Sequence, residues 1–344
     1  MKKILLSTFF LSIQALYAVA PSCIEVFPDA SPCLVCPWGV HLNGDFIYWT
    51  ARQEGLGYVY SQTRNPFNNI EIDTKGSVKH NDFNFDPGFR IGFGFDIRQD
   101  DWDVSLTYTW LHTGSQTDQI RSRDLDHSET APLFLFQNTT PSSLALEAST
   151  AWALKFNVID LYMGRNFFLS ETLSVKPFFG LKASIQHQDL KQHLSAVIPI
   201  IQEFSFESDE DFRYFGLGIR SGFDSAWELG KQFSLVCSGS LSALYGDYEI
   251  SRKDRSTDLQ IPSPQEEVDL YTNNHFHKIN GVFELFLGVR WEKHFGEKHY
   301  YFKTDFGFEQ QIWMNQNQFL FLYEEGSHGD LILQGFTMKI RLDF

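Results

Sequence analysis

Past the leader-like start at Met1–Ala20, the chain has no apolar run of the ~20 residues that an α-helix needs to cross a bilayer, so a helical membrane protein is excluded. Positive charge is scarce. There are 28 Lys and Arg against 43 Asp and Glu, a net charge of −15, and that excess of acid argues against nucleic acid as a partner. Cysteine is scarce too: Cys23, Cys33, Cys36 and Cys237. No Gly-x-Ser-x-Gly elbow and no His-Glu-x-x-His pair occurs, so no enzyme, cofactor or metal is expected. The histidines His187, His193, His275 and His277, with Asp209 and Asp211, read as solvated loop groups. The run Glu207–Asp211 (ESDED) has the oxygen ligands for Ca²⁺ but reads first as a solvated loop.

What is present is aromatic residue, 16% of the chain and led by 34 Phe, arranged with a period of two. The stretch Pro87–Thr113 (PGFRIGFGFDIRQDDWDVSLTYTWLHT) shows it best. Phe89, Ile91, Phe93, Phe95 and Ile97 share one face, with Arg90, Gly92, Gly94, Asp96 and Arg98 on the other. After Gln99-Asp100-Asp101, Trp102, Val104, Leu106, Tyr108 and Trp110 alternate with Asp103, Ser105, Thr107 and Thr109. Strict alternation means strands with one apolar and one polar face. At about ten residues each, these are long enough to cross a bilayer at a tilt. Strands that expose apolar side chains to lipid must close into a barrel, because hydrocarbon cannot satisfy an open sheet edge. The expected fold is therefore all-β, a transmembrane antiparallel β-barrel of about ten strands, with ten to sixteen allowed, short periplasmic turns and long extracellular loops.

Along the chain, Lys2 and Lys3, an apolar core from Ile4 and the small residues Ala18-Val19-Ala20 read as a signal peptide over 1–20. Residues 21–40 form a Cys- and Pro-rich periplasmic lead-in, and 41–344 the barrel. In an exported chain a disulfide is the first reading of Cys33-Leu34-Val35-Cys36, and intermolecular disulfides in the envelope stay open as the alternative. Further strands are expected near 42–51, 151–165, 173–186, 214–227, 233–245, 278–291, 300–310 and at the chain's end. In the strand from Ala151, Trp152, Leu154, Phe156 and Val158 are placed toward lipid and Lys155 inward, with a bulge at Ile159-Asp160 to restore phase. The stretches 54–86, 112–149, 187–211, 247–274 and 314–329 read as long loops, with extra strand near Ile70-Glu71-Ile72 and an apolar patch at Leu133–Phe136. Phe204, Phe206, Trp313 and Tyr323 are loop aromatics able to contact a partner or fold into the lumen. Trp49, Trp102, Trp110, Trp152, Trp227 and Trp291 are expected in the interfacial girdles. Phe344, in phase with Phe336, Met338, Ile340 and Leu342, reads as the assembly signal of an outer-membrane barrel.

Gly44–Tyr58 (GDFIYWTARQEGLGY), the hairpin Pro87–Thr113, Asn157–Gln186 (NVIDLYMGRNFFLSETLSVKPFFGLKASIQ) and the ending LQGFTMKIRLDF resemble the Legionella major outer membrane protein type, a pore-forming family also met in chlamydia-related bacteria. The resemblance covers most of the barrel and little of the loops. It implies an outer-membrane pore and brings no catalytic motif.

The inward row supplies the candidate pore lining: Arg90, Asp96, Asp103, Lys155, Lys176, Lys182, Arg220, Asp224, Glu284, Arg290, Asp305, Lys339 and Arg341. Such charges set ion selectivity in an open pore. In a narrow barrel they pair across the lumen and fill it instead. At ten strands the two readings stand level, a larger count favours the pore, and the family resemblance favours the pore as well. The expected function is a porin-like channel in the bacterial outer membrane for passive diffusion of small hydrophilic solutes and ions. The alternative is a structural or adhesive surface barrel with a plugged lumen. Expected partners are outer-membrane lipid, the barrel assembly machinery and the solutes themselves, with a homo-oligomer left open.

Overall fold

The computed structural model describes residues 39–63, 76–97, 102–116, 120–121, 128–132, 144–198, 202–230, 232–259, 266–295, 300–320 and 329–344. The signal peptide, Cys33 and Cys36, the strand expected near Ile70, the Leu133–Phe136 patch and Tyr323 lie outside the described residues. Twelve strands pair in one sheet, and two of them are only two residues long (Ile120–Arg121 and Phe167–Phe168). The other ten form the barrel. They are β1 (Val40–Gln53), β2 (Phe85–Ile97), β3 (Trp102–Gln116), β4 (Leu144–Arg165), β5 (Leu173–Ile198), β6 (Gln202–Gly230), β7 (Phe233–Asp258), β8 (Glu266–Phe295), β9 (Tyr300–Trp313) and β10 (Leu331–Asp343). Every neighbour in chain order pairs antiparallel, and β1 pairs with β10 to close the ring. The Phe344 N–H donates to the Val40 carbonyl at 3.0 Å, finishing the seam. A separate three-stranded sheet (Val59–Thr63, Gly76–Lys79, Ser128–Pro132) sits among the loops at the other end.

The outer face carries the alternation expected of a lipid surface. On β6, Phe215, Leu217, Ile219, Phe223 and Trp227 are exposed, Ile219 at 68%. Phe179, Leu181, Leu241, Leu287 and Val289 continue the band on its neighbours. So much contiguous exposed apolar surface has no place in water. From Phe215 to Trp227 a strand climbs about 40 Å, or about 30 Å along the membrane normal at a ~40° tilt, which matches the hydrocarbon core.

Above that band the barrel is lopsided. The stretches 187–211 and 247–274, expected as loops, are mostly strand: β5–β6 and β7–β8 run on as long hairpins. With β4 they raise a five-stranded wall on one side. The ladder between β8 and β9 stops at Val282↔Trp313, so Glu266–Gly281 pairs with β7 alone. The ESDED run lies on β6 with its side chains alternating between the two faces, not in a Ca²⁺ loop.

One strand corrects the sequence reading. On β4, Trp152, Leu154, Phe156 and Val158 are buried inside the barrel, while Lys155 is exposed on the outer face. Lys155 therefore does not line the lumen. No bulge interrupts Ile159-Asp160: the ladder runs unbroken from Phe178↔Gly164 to Ser195↔Glu147. Trp49 and Trp152 also leave the girdle, since both are inward and buried, whereas Trp227 is exposed on the outer face.

Candidate functional site

The lower, periplasmic half of the lumen is charged, and the charges sit in alternating rows because each strand turns every second residue inward. On adjacent β2 and β3, Arg90 and Asp103 face in. Arg90 reaches three ways: Nη1 is 3.1 Å from Asp45, Nη2 is 2.8 Å from Glu309, and Nε donates to Thr109 Oγ1 at 2.9 Å. Asp103, at the lower end, takes Lys176 at 2.7 Å and Arg341 at 3.0 Å. Between these levels four residues form a square of alternating sign. Lys182 Nζ is 2.9 Å from Asp160 and 3.1 Å from Glu284, and Arg220 is 3.4 Å from Asp160 and 2.8 Å from Glu284. Ser240 Oγ donates to Glu284 at 2.6 Å. Arg290 grips Asp305 with two bonds, at 2.7 and 2.9 Å, and the Lys339 ammonium lies 3.7 Å from the centre of the Phe286 ring.

These rows surround a cavity of about 310 Å³, lined among others by Asp45, Arg90, Lys176, Asp224, Lys303 and Lys339. Of the residues expected in the lumen, only Lys155 is turned away. Asp96 is inward in phase but stands exposed at the periplasmic mouth. Asp45 and His41 also face the lumen, and the sequence pattern does not mark them. They lie on β1, where apolar positions do not alternate cleanly and the inward row is hard to pick out. His41 is buried, with Nε2 3.0 Å from Ser105 Oγ.

The upper half of the lumen is closed by apolar side chains. Ile47, Trp49, Leu111, Phe156, Leu244 and Leu333 point in and belong to one buried cluster. Phe156 on β4 and Trp313 on β9 meet edge to face, with ring centroids 5.4 Å apart. Those strands are five places apart in a ring of ten, so the contact spans the full width of the barrel. The chain after β9 then folds in. Asn315 takes a left-handed φ of 51°, which Asn tolerates, and its N–H is held by Asp330 at 2.8 Å. Gln316, Asn317 and Phe319 are buried in consequence. Gln316 bonds Asn280 at 2.7 Å, Gln186 at 3.0 Å and Tyr248 at 3.3 Å, which ties the segment to β5, β7 and β8. The Leu320 N–H donates to Glu210 at 2.8 Å, and Arg252 donates to the Leu320 carbonyl. Trp313, expected as a loop aromatic, thus forms part of the closure, and Phe206 is buried on the inner face of β6.

Among solved structures the chain is similar to the outer membrane protease OmpT from Escherichia coli, at 9% identity and a TM-score of 0.35, covering 92% of this chain and 99% of that one. It is also similar to the toluene transporter TodX of P. putida (8% identity, TM-score 0.28, 89% of each chain) and to a Pseudomonas aeruginosa FadL homologue (9%, 0.28, 89% of each). No curated protein matches. The model of the family described as Legionella pneumophila major outer membrane protein precursor matches residues 30–344, and the chain, an outer-membrane β-barrel, belongs to that family.

Proposed function

We propose that the protein is a gated outer-membrane channel for passive movement of small hydrophilic solutes and ions, and that this conformation is its closed form. The observation that carries this reading is the change of lining along one lumen: a charged vestibule below, an apolar seal above. A lumen that served only as filling would be cheaper in apolar side chains, because buried charges repay their desolvation poorly. Charges around a cavity of about 310 Å³ instead suit a hydrated entrance. The seal consists of side chains and one in-folded stretch, 316–320, with no separate plug domain among the described residues. Passage then needs the stretch to swing out and the Phe156–Trp313 contact to part. No chemistry on the solute is involved.

The Phe156–Trp313 contact itself favours a second reading, a permanently filled barrel whose work is done by its surface. Planar-bilayer conductance separates the two. Wild type should show rare stepwise openings, and a variant with 316–320 replaced by a Gly-Ser linker should show frequent ones. If both proteins insert, migrate as folded barrels and stay silent, the channel reading falls and the filled barrel stands.

A further inference from the structure

We propose that Asp247, His275 and His277 form a binding site for a divalent transition-metal ion, with zinc the best match, on the outer wall just above the lipid band. His275 and His277 are two apart on β8, so both imidazoles leave the same face of one strand. Asp247 on β7 pairs directly with His277. Asp247 Oδ1 stands 2.7 Å from His275 Nε2 and 3.3 Å from His277 Nδ1, and the three ligand atoms all lie within 4.8 Å of one another. Zinc bonds of about 2.0–2.1 Å set tetrahedral ligand atoms roughly 3.3 Å apart, so the cluster already has nearly the required size.

Two observations point to an ion and not to an ordinary ion pair. The Asp247 side chain is 45% exposed, but its Oδ1 is turned away from solvent and, although two ring nitrogens crowd it, receives no well-directed hydrogen bond from either. Buried carboxylate oxygens normally find a donor, and an orphan needs an explanation. The second observation is a contrast with a sister cluster. His187, Asp189 and Asp211 gather in the same way, one row higher on β5 and β6, but there Arg213 Nε lies 3.0 Å from Asp211 and already supplies the cation. Around Asp247 the two imidazoles are the basic groups within ion-pair distance among the described residues. The Tyr245 ring lies 5.4 Å from the His277 ring and limits its swing.

The ligand set is two imidazoles and one carboxylate, with the histidine side chains 61% and 45% exposed. Imidazole nitrogen suits zinc, copper or nickel and disfavours calcium and magnesium. The fourth position faces the medium, so the ion binds exchangeably and carries water there. The row lies directly above the paired residues Tyr245 and Ile279 of β7 and β8, both exposed on the outer face. A hydrophilic ion can therefore reach it from outside the cell.

Isothermal titration of zinc chloride into the folded, detergent-solubilised full chain tests the site, with all cysteines alkylated so that thiolates cannot contribute. One zinc per chain is expected. His275→Ala and His277→Ala should each weaken binding at least about ten-fold, and Asp247→Asn should weaken it as well. His187→Ala should leave it unchanged. The substituted side chains sit on the outer surface, and heat-modifiable migration checks that each variant is folded. Cobalt substitution should give a visible spectrum of nitrogen and oxygen ligands. No binding by the folded wild type, or binding that survives both histidine substitutions, overturns the proposal.

Discussion

Phe156 and Trp313 touch across the whole width of the barrel, with centroids 5.4 Å apart. A ten-stranded ring is narrow enough for side chains from opposite walls to meet, and here they do. Trp313 is fully buried, and besides Phe156 the Lys182 ammonium lies 5.9 Å from its ring centre, so the indole is packed within the lumen. Trp313→Ala should therefore cost about 3–5 kcal/mol of stability, the usual range for a large aromatic lost from a packed interior. The same substitution should raise the open probability in a planar bilayer, because it removes half of the seal. Urea unfolding in detergent reads the first effect and single-channel recording the second. A destabilised but silent variant would place the seal at the 316–320 stretch alone.

Arg90 bridges Asp45 and Glu309, two carboxylates that would otherwise repel each other inside the lumen. Its side chain is 15% exposed and theirs are 8% and 7%. Arg90→Ala should destabilise by about 3 kcal/mol, since it strands two nearly buried acids. Arg90→Lys should recover only part of the loss, because an ammonium cannot fork to both partners. Adding Glu309→Gln to Arg90→Ala should restore stability relative to the single variant, and a double-mutant cycle on unfolding midpoints measures that coupling. An additive cycle would show that the two residues do not interact.

Glu210 lies above the lipid band, where the outer neighbours Asp211 and Arg213 are charged. Burial pushes its carboxyl up from 4.5 to about 7, opposed in part by Arg252 and by the Leu320 N–H. A raised acid binds its proton more tightly in the folded chain than in the unfolded one. Stability from this group is thus full below the unfolded pKa and falls as pH rises through 4.5 toward 7. Glu210→Gln keeps an acceptor for the Leu320 N–H without the charge. It should be more stable than wild type at about pH 8, with the gap closing at about pH 5. Unfolding midpoints at the two pH values decide it, and a gap that does not change with pH would mean that Glu210 is not the titrating group.

The ten strands and their lipid faces were legible because the environment differs on the two sides of each strand and changes every residue. Reading failed where that contrast reverses or vanishes. On β4 the inward row goes from apolar at Trp152–Val158 to charged at Asp160 as the strand descends from the seal into the vestibule, while the outward row turns apolar at Ile159 and Leu161. In sequence this crossing looks like a slip of phase, and it placed Lys155 in the lumen. Along the described parts of 187–211 and 247–274 the outer side is polar and charged, because the wall stands above the lipid, and the inner row mixes Leu190, Leu194 and Ile250 with Gln188, Gln192 and Arg252. Without apolar alternation those strands look like loops. The individual charge pairs were not legible at all: Arg90 and Glu309 are 219 residues apart, and only closure of the ring brings them together.

The square of Asp160, Lys182, Glu284 and Arg220 is balanced, two charges of each sign. Lys182 is the most enclosed of the four, its side chain 1% exposed. Lys182→Met keeps much of the volume and removes one positive charge, which leaves Arg220 alone between two acids. The local field then turns negative in the vestibule just below the seal. In an open channel the reversal potential under a salt gradient should shift toward cation selectivity. Lys182→Met combined with Glu284→Gln restores the balance and should return the reversal potential close to that of wild type. The pair also controls for folding, since both variants lack the same lysine. If the single and double variants share one reversal potential, ions do not pass this square, and the conducting path runs elsewhere in the protein.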